Sequence, residues 1–226
     1  METFKISNYI LVNNHQFIIC NKPVGLPTQE DKTGDASLLK LAEIYCKSTL
    51  YPIHRIDRPA SGLVIMAKKP DTCTLISSML RDGRIEKTYI AVVKNKPPKE
   101  EDTLVHYLIH DTRMNKSRVG KKEDKNAKEA IMKYKLIGSS DNYHFLSINL
   151  LTGRHHQIRA QLSAIGCPIK GDVKYGDRRA NADRSIHLHA WKLLFNQTVH
   201  QGVKEVTAPF PQESLWDFLK NNILNQ

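Results

Sequence analysis

The chain has 226 residues, with 34 Lys and Arg against 23 Asp and Glu, and a formal net charge of +11. No run approaches the roughly 18 to 20 apolar residues that span a bilayer, and the first residues lack the basic-then-apolar pattern of a signal peptide. We therefore expect a cytoplasmic protein without membrane contact. A basic surface of this size attracts polyanions, and nucleic acid is the first candidate.

Hydrophobic periodicity predicts many strands and a few helices. Strands are predicted at 9–13, 16–20, 62–67, 87–93, 104–109, 129–137, 144–150 and 187–195. Helices are predicted from a cap at Asp35 to 46, from 70 to about 83 with Leu75 buried, from the 152–153 turn to 166, and after Pro211. This succession favours an α+β fold with a largely antiparallel sheet. Because no internal repeat or linker is present, we expect a single domain over 1–226.

The stretch 111–128 is the densest basic patch of the chain. It carries seven basic and three acidic residues and almost no large apolar side chain, so it cannot bury a core face. We interpret it as a basic flexible loop, in the form of a hairpin or lid. It is either a solvated connection without function or a flap that grips phosphates.

A carboxylate flanked by two arginines marks the stretch 54–62. Asp57 lies between Arg55 and Arg58, in a short polar turn that leads into an apolar, partly β-branched run. Flanking guanidinium groups favour the ionised carboxylate, and the start of a buried strand would hold the side chain in place. Taken alone, the pattern is far more often a surface turn with a salt bridge, and only the residues that accompany it later in the chain favour a functional role.

Two further side chains suit the same chemistry. Tyr89 occupies a strand position, and Arg159 falls at the margin of the apolar stripe of a helix, where its head can reach a semi-buried cleft. Together with Asp57 they supply one carboxylate, one phenol and one arginine. The residues alone thus indicate a polyanion-binding protein with one arginine-poised carboxylate.

Other chemistries are less well supported. His155 and His156 are adjacent and should point to different helix faces, so a metal site is not predicted. Ser61 lacks the nucleophile-elbow pattern of serine hydrolases, and no phosphate-binding loop or dinucleotide fingerprint occurs. Asp172 and Asp177 could supply a second carboxylate of the glycosidase type, although a role in loop structure is the better interpretation. Scattered cysteines indicate neither a disulfide framework nor a zinc site.

Six blocks, in order along the chain, resemble motifs of the RluA-type RNA pseudouridine synthases. They are N-K-P-x-G-L at 21–26, H-R-L-D-x-x-T-S-G at 54–62, K-x-Y-x-A at 87–91, T-G-R-x-H-Q-I-R at 152–159, I-x-G-D-x-x-Y-G at 169–176 and L-H-A at 188–190. The departures are Ile56 for Leu, Ala60 for Thr, and Gln161 where His is common. The resemblance covers about 9 to 219 and implies the pseudouridine synthase fold, with flanking helices and a central cleft.

The resemblance implies that uridine in RNA is isomerised to pseudouridine without a cofactor or metal. Asp57 matches the family's catalytic aspartate, which acts either as a nucleophile or as a general base. Arg159 matches the arginine that holds this aspartate, and Tyr89 matches the tyrosine that packs against the uracil. Arg55 is expected to fill the gap that the flipped uridine leaves. RNA binding and base flipping are assigned to His54, Arg55, Arg58, Arg154, His156 and Gln157.

The partner is then an RNA stem-loop, ribosomal or transfer, and we expect a monomer without a separate N-terminal RNA-binding module. A non-catalytic RNA-binding or ribosome-assembly factor on the same fold is the competing function, since it would need only the basic groove. A hydrolase that releases free uracil would share Asp57. Retention of Asp57, Tyr89 and Arg159 together favours the synthase.

Overall fold

The computed structural model describes residues 5–196 and 203–225. They fall into two compact units, Met1–Glu86 with Ala190–Pro211 and Lys87–His189 with Gln212–Gln226. The strands are β1 (Ile10–Asn13), β2 (Phe17–Lys22), β3 (Tyr51–Pro52), β4 (Ser61–Ala67), β5 (Ile85–Val93), β6 (Glu101–Asp111), β7 (Lys116–Gly120), β8 (Lys128–Ser139), β9 (His144–Leu150), β10 (Leu188–Phe195) and β11 (Glu205–Thr207). The helices are α1 (Leu38–Cys46), α2 (Pro70–Arg81), α3 (Gln157–Ala164) and α4 (Ser214–Leu219), with short helical turns at Ile6–Tyr9, Val173–Tyr175 and Lys220–Leu224.

The first unit is built on strand β2, which pairs antiparallel with β1 and with β4. Successive side chains of β2 and β4 point to opposite faces of the sheet. Phe17 and Ile19 thus share one face, and one core cluster, with Leu63 and Ile65. Met79 and other side chains of α2 cover this side. The resulting core fixes β4, which begins directly after the turn that carries Asp57.

The second unit is an antiparallel sheet in the order β5, β9, β8, β6, β7. Helix α3 packs on β6 and β7, where Ala160 joins Leu108, Ala130 and Tyr175 in a small buried cluster. All six residues from 157 to 162 are buried, which leaves α3 no solvent-exposed face over that length. The predicted α+β class with largely antiparallel pairing is confirmed.

Several local expectations are wrong. Helix α1 is capped by Ser37, whose hydroxyl accepts from Lys40 N at 3.2 Å, rather than by Asp35. Leu75 of α2 is 48% exposed instead of buried. Strands β3 and β11 were not predicted, because each is too short to show a period of two.

The basic stretch 111–128 contains strand β7, which pairs antiparallel with β6 from Tyr107↔Gly120 to Asp111↔Lys116. Ser117 is buried there, although the surrounding side chains are mostly exposed. The stretch therefore holds more regular structure than its composition indicates. Whether it moves, and whether it grips phosphates, stay predictions.

Candidate active site

The turn that carries Asp57 is held by the buried hydroxyl of Thr28, which binds the backbone of Ile56, the residue before Asp57. Ile56 N donates to Thr28 Oγ1 at 3.3 Å, and the same hydroxyl donates to Ile56 O at 2.9 Å. Ala60 N donates to Asp57 O at 3.0 Å and closes the turn before β4 begins. The backbone at Asp57 is thus fixed on both sides, while its side chain stays partly exposed.

A buried lysine holds the same turn from the other direction. Lys22 is fully buried, and its Nζ donates to Pro23 O (2.8 Å), Leu26 O (2.7 Å) and Arg58 O (3.2 Å). Burial lowers the pKa of Lys22 to about 7, while the nearby charge of Asp57 acts to raise it. Lys22 therefore ties the 23–26 loop to the residue that follows Asp57. Sequence reasoning missed this role, because Lys22 was visible only as one letter of a motif.

The guanidinium of Arg58 does not face Asp57. Its Nε donates to Gly25 O at 2.8 Å, its Nη1 donates to Thr33 Oγ1 at 2.8 Å, and its Nη2 pairs with Asp35. The hydrogen bond from Arg58 lowers the pKa of Asp35. The expectation that both flanking arginines poise the Asp57 carboxylate is thus wrong for Arg58, which binds the 25–35 loop instead.

The other residues of this stretch have separate surroundings. Ile65 N donates to His54 Nε2 at 3.3 Å, so the imidazole lies along β4. The side chain of Arg55 is exposed. Of the two arginines that flank Asp57, Arg55 is therefore the more exposed to solvent, and Arg58 the one held by the protein.

A glycine sets the start of β4. Gly62 has φ +113°, and a Cβ added there would lie 2.3 Å from Ala190 O and 2.5 Å from Ala190 N. No side chain fits at that distance, so only glycine lets β4 begin beside β10 immediately after the Asp57 turn.

Arg159 lies in the second unit, in a buried ion pair. Its Nε donates to Asp172 Oδ2 at 2.7 Å and its Nη2 donates to Asp172 Oδ1 at 2.8 Å, a two-point grip that orients the planar guanidinium. The two side chains are 6% and 1% exposed. Sequence reasoning had assigned Asp172 to loop structure and missed this pairing, because nothing in the sequence separates it from Asp177.

Tyr175 connects Arg159 to the basic stretch 111–128. The Arg159 guanidinium lies 4.9 Å from the centre of the Tyr175 ring, a cation–π distance. The Tyr175 hydroxyl accepts from Ser117 N at 2.8 Å and lies 3.0 Å from His156 Nδ1. Ser163 Oγ donates to Tyr175 O at 2.6 Å. One side chain therefore joins β7, α3 and the arginine.

The paired histidines are not on opposite helix faces as predicted. Helix α3 begins only at Gln157, and His156 is its N-cap residue with a left-handed φ of +51°. The rings of His155 and His156 consequently stack at 3.8 Å, and His155 lies 3.9 Å from the ring of His110. Within residues 5–196 and 203–225, no cluster of three or more His, Cys, Asp or Glu side chains is placed to hold a metal ion.

Gln157 and Arg154 shape the turn before α3. Gln157 is buried; its Oε1 accepts from Thr152 Oγ1 (2.8 Å) and Arg154 N (2.9 Å), and its Nε2 donates to Ile131 O (3.1 Å). Arg154 is exposed, with its Nε donating to Glu129 O at 2.8 Å. Gln157 thus orders the turn, and Arg154 remains available at the surface.

Tyr89 lies on β5, opposite Ile148 of β9, and is 6% exposed. Lys87, two residues earlier on the same face of the strand, has its pKa lowered to about 8 by burial. Of the three residues predicted to react, Asp57 belongs to the first unit, and Tyr89 and Arg159 belong to the second.

Comparison with known proteins shows the same family that the motif blocks resemble. The family model described as RNA pseudouridylate synthase matches residues 16–164. A ribosomal large subunit pseudouridine synthase C of Rickettsia bellii is 31% identical over 211 residues, which cover 91% of this chain and 69% of that protein. An uncharacterized RNA pseudouridine synthase of Haemophilus influenzae is 30% identical, over 83% of this chain and 81% of that protein.

The fold is shared with a solved structure of human RNA pseudouridylate synthase domain containing 4. That structure has a TM-score of 0.75 and 21% identity, and the match covers 94% of this chain and 92% of that one. The chain belongs to the RNA pseudouridylate synthase family. It is an RNA pseudouridine synthase, an isomerase that acts on uridine in RNA. In the part of the chain that the structure describes, no helix has the length and apolarity needed to cross a membrane.

Proposed function

We propose that this chain isomerises a specific uridine in a ribosomal or transfer RNA stem-loop, with Asp57 acting at the ribose. The buried, two-point grip of Asp172 on Arg159 carries this proposal. It orients a permanently charged, planar group inside the second unit. We propose Arg159 as the fixed cation of the reaction, the role that its position in the motif block implies.

Asp57 suits a reacting group because its backbone is fixed and its side chain is partly exposed. A group that is already positioned loses little entropy when the substrate arrives. In the proposed reaction the C1′–N1 bond breaks, the uracil turns, C5 bonds to C1′, the C5 proton leaves, and N1 takes up a proton. Asp57 acts either as nucleophile at C1′ or as base at the ribose, and Tyr89 packs against the uracil.

The uridine must leave the base stack before C1′ can be reached, at a cost of a few kcal/mol. Arg55 is the side chain proposed to fill the gap, since it is exposed and directly precedes the fixed Ile56–Asp57 backbone. Arg154 and His156 are proposed to contact RNA. His54, Arg58 and Gln157, whose polar atoms bind the protein itself, serve by ordering the loops.

We propose ribosomal RNA of the large subunit as the first candidate substrate, a choice supported by the name of the Rickettsia relative, and a transfer RNA stem-loop as the second. We further propose a cytoplasmic monomer in which both units form one catalytic domain. The competing function is a non-catalytic RNA-binding or ribosome-assembly factor, which would not need a fixed carboxylate beside the exposed Arg55.

The test uses RNA from cells that lack the gene, treated with carbodiimide and mapped by reverse-transcription stops. One or a few pseudouridines should be lost, restored by the wild-type gene and by the control Asp141→Asn, but not by Asp57→Asn. The Asp57→Asn protein should still bind RNA in a filter assay. Restoration by Asp57→Asn would remove Asp57 from the mechanism. If no site is lost, tritium release from C5-labelled RNA decides between an enzyme and a binder.

A further inference from the structure

A pocket of about 700 Å³ lies within the second unit. It includes none of the residues assigned above to the reaction or to base flipping. Four cations line it, one directly after β5 and three from the 170–179 loop: Lys94, Lys170, Arg178 and Arg179. Its volume is in the range of pockets that bind small ligands or parts of larger ones.

The acidic side chains in the pocket are engaged by the backbone. Asp177 accepts from Gly171 N at 2.5 Å and from Arg178 N at 2.7 Å. Asp183 accepts from Ser185 N at 3.0 Å. These two carboxylates shape the loop, because they accept hydrogen bonds from its backbone amides.

Glu213 has a similar role at the other side of the pocket. It accepts from Leu215 N at 3.0 Å at the start of α4. It also accepts from His187 Nε2 at 3.0 Å. The imidazole is 4% exposed, and its burial lowers the pKa of His187, which favours the neutral ring.

Asn181 connects this wall to the cations. Its Nδ2 donates to Ser185 O (3.0 Å) and His187 Nδ1 (3.0 Å), while its Oδ1 accepts from Lys170 Nζ (2.7 Å). Lys170 Nζ also lies 5.8 Å from the centre of the Tyr143 ring. Lys170 is therefore held by a neutral amide and a ring, which position its charge without neutralising it.

The cations, in contrast, have no carboxylate partners. Among the residues that the structure describes, none of Lys94, Lys170, Arg178 and Arg179 takes part in an ion pair. Lys94, Arg178 and Arg179 are exposed. The pocket is consequently a concave surface that carries four cations and three carboxylates, with no ion pair between them in the described part of the chain, and a partly exposed aromatic ring, Tyr143.

We propose that this pocket binds the sugar–phosphate backbone of the substrate RNA at a nucleotide other than the reacting uridine. Arg178 and Arg179 can each grip phosphate oxygens through a planar fork, and Tyr143 offers a face for a base. The proposal rests on the proposed function, because it takes the ligand to be the same RNA. It extends the RNA contact beyond the reaction centre.

The test compares Arg178→Ala/Arg179→Ala with the matched control Lys133→Ala/Lys135→Ala. The control removes the same charge from exposed positions of β8 in the same unit. Binding of deproteinised ribosomal and transfer RNA from the deletion strain is measured by filter retention from 50 to 300 mM KCl. Two lost phosphate contacts should lower the slope of log affinity against log salt by about 1.4 to 1.8, and weaken binding roughly 25- to 60-fold at 0.1 M salt. The control should keep the wild-type slope.

A second variant, Lys94→Gln/Arg179→Gln, leaves the Asp177–Arg178 backbone turn intact and should give a similar loss. An unchanged slope, or an equal change in the control, would overturn the proposal. So would competition by micromolar UMP or ATP, which would indicate a free-nucleotide site. Failure of the proposed function is seen separately, since it appears as pseudouridine restored by Asp57→Asn and not as a salt slope.

Discussion

Replacing Asp172 by Asn tests whether the buried pair with Arg159 is a main support of the second unit. The substitution keeps the shape of the side chain but removes its charge. Arg159 stays protonated at any pH that proteins tolerate, so it keeps its buried charge after the Asp172 carboxylate is lost. The new amide also presents an N–H group toward a guanidinium that can only donate.

The size of the effect follows from the two contacts. Each charge-assisted hydrogen bond, at 2.7 and 2.8 Å, contributes roughly 1.5 to 3 kcal/mol. The Tyr175 ring, 4.9 Å from the cation, is present in both proteins, so its contribution cancels from the difference. We expect Asp172→Asn to lower the free energy of unfolding by about 3 to 4 kcal/mol, within the range for broken buried pairs.

Urea unfolding at pH 7.5, followed by tryptophan fluorescence and by far-UV circular dichroism, measures this change. Asp141→Asn is the control; Asp141 is exposed in the 139–144 turn and should change stability by no more than about 0.5 kcal/mol. Adding Arg159→Met to Asp172→Asn removes the buried cation as well and should restore at least about 1 kcal/mol. A loss below about 1 kcal/mol for Asp172→Asn, or no recovery in the double variant, would refute the reasoning.

Two further predictions concern the first unit. The pKa of Lys22 is about 7 in the folded chain and 10.5 ordinarily. Above pH 7 the unfolded chain therefore binds one proton more than the folded chain. The free energy of unfolding should then rise with pH, by up to about 2.5 kcal/mol between pH 7 and 9. Lys22→Met should show a smaller rise in urea unfolding, with the part due to Lys87 left, and parallel pH profiles for the two proteins would contradict the assignment. Gly62→Ala forces a Cβ to 2.3 Å from Ala190 O and should cost at least about 3 kcal/mol, whereas Gly83→Ala, with φ +71° and open space, should cost about 1 to 2 kcal/mol. Equal losses for the two glycines in the same assay would show that the close approach is unimportant.

Elements whose apolar pattern extends over several residues could be predicted from the sequence, and short or polar elements could not. Strands β4 and β9 and helix α2 follow patterns several residues long, and their bounds agree within one or two residues. Strand β7 is polar and basic; it forms because β6 pairs with it along its length, a tertiary effect that composition does not report. The cap of α1 was misplaced because Ser37 and Asp35 both suit that role.

The candidate site divides in the same way. Asp57, Tyr89 and Arg159 could be selected because the motif blocks carry them, and their joint action stays a proposal. Asp172 and Lys22 could not be selected by physical reasoning, since burial of a charge depends on which distant groups surround it. Lys22 is satisfied by carbonyls from 23, 26 and 58, and nothing local indicates that these converge.

The contacts of Tyr175 have a consequence for how this sequence can drift over evolutionary time. The ring faces the Arg159 cation, and the hydroxyl meets the amide of Ser117 and the imidazole of His156. Phenylalanine would keep the first contact and lose the other two, and histidine would be too short to reach all three. A change at residue 175 is therefore tolerated mainly when partners in β7 or α3 change with it. Arg159 and the basic stretch 111–128 are therefore coupled through one side chain, although they lie far apart in the sequence.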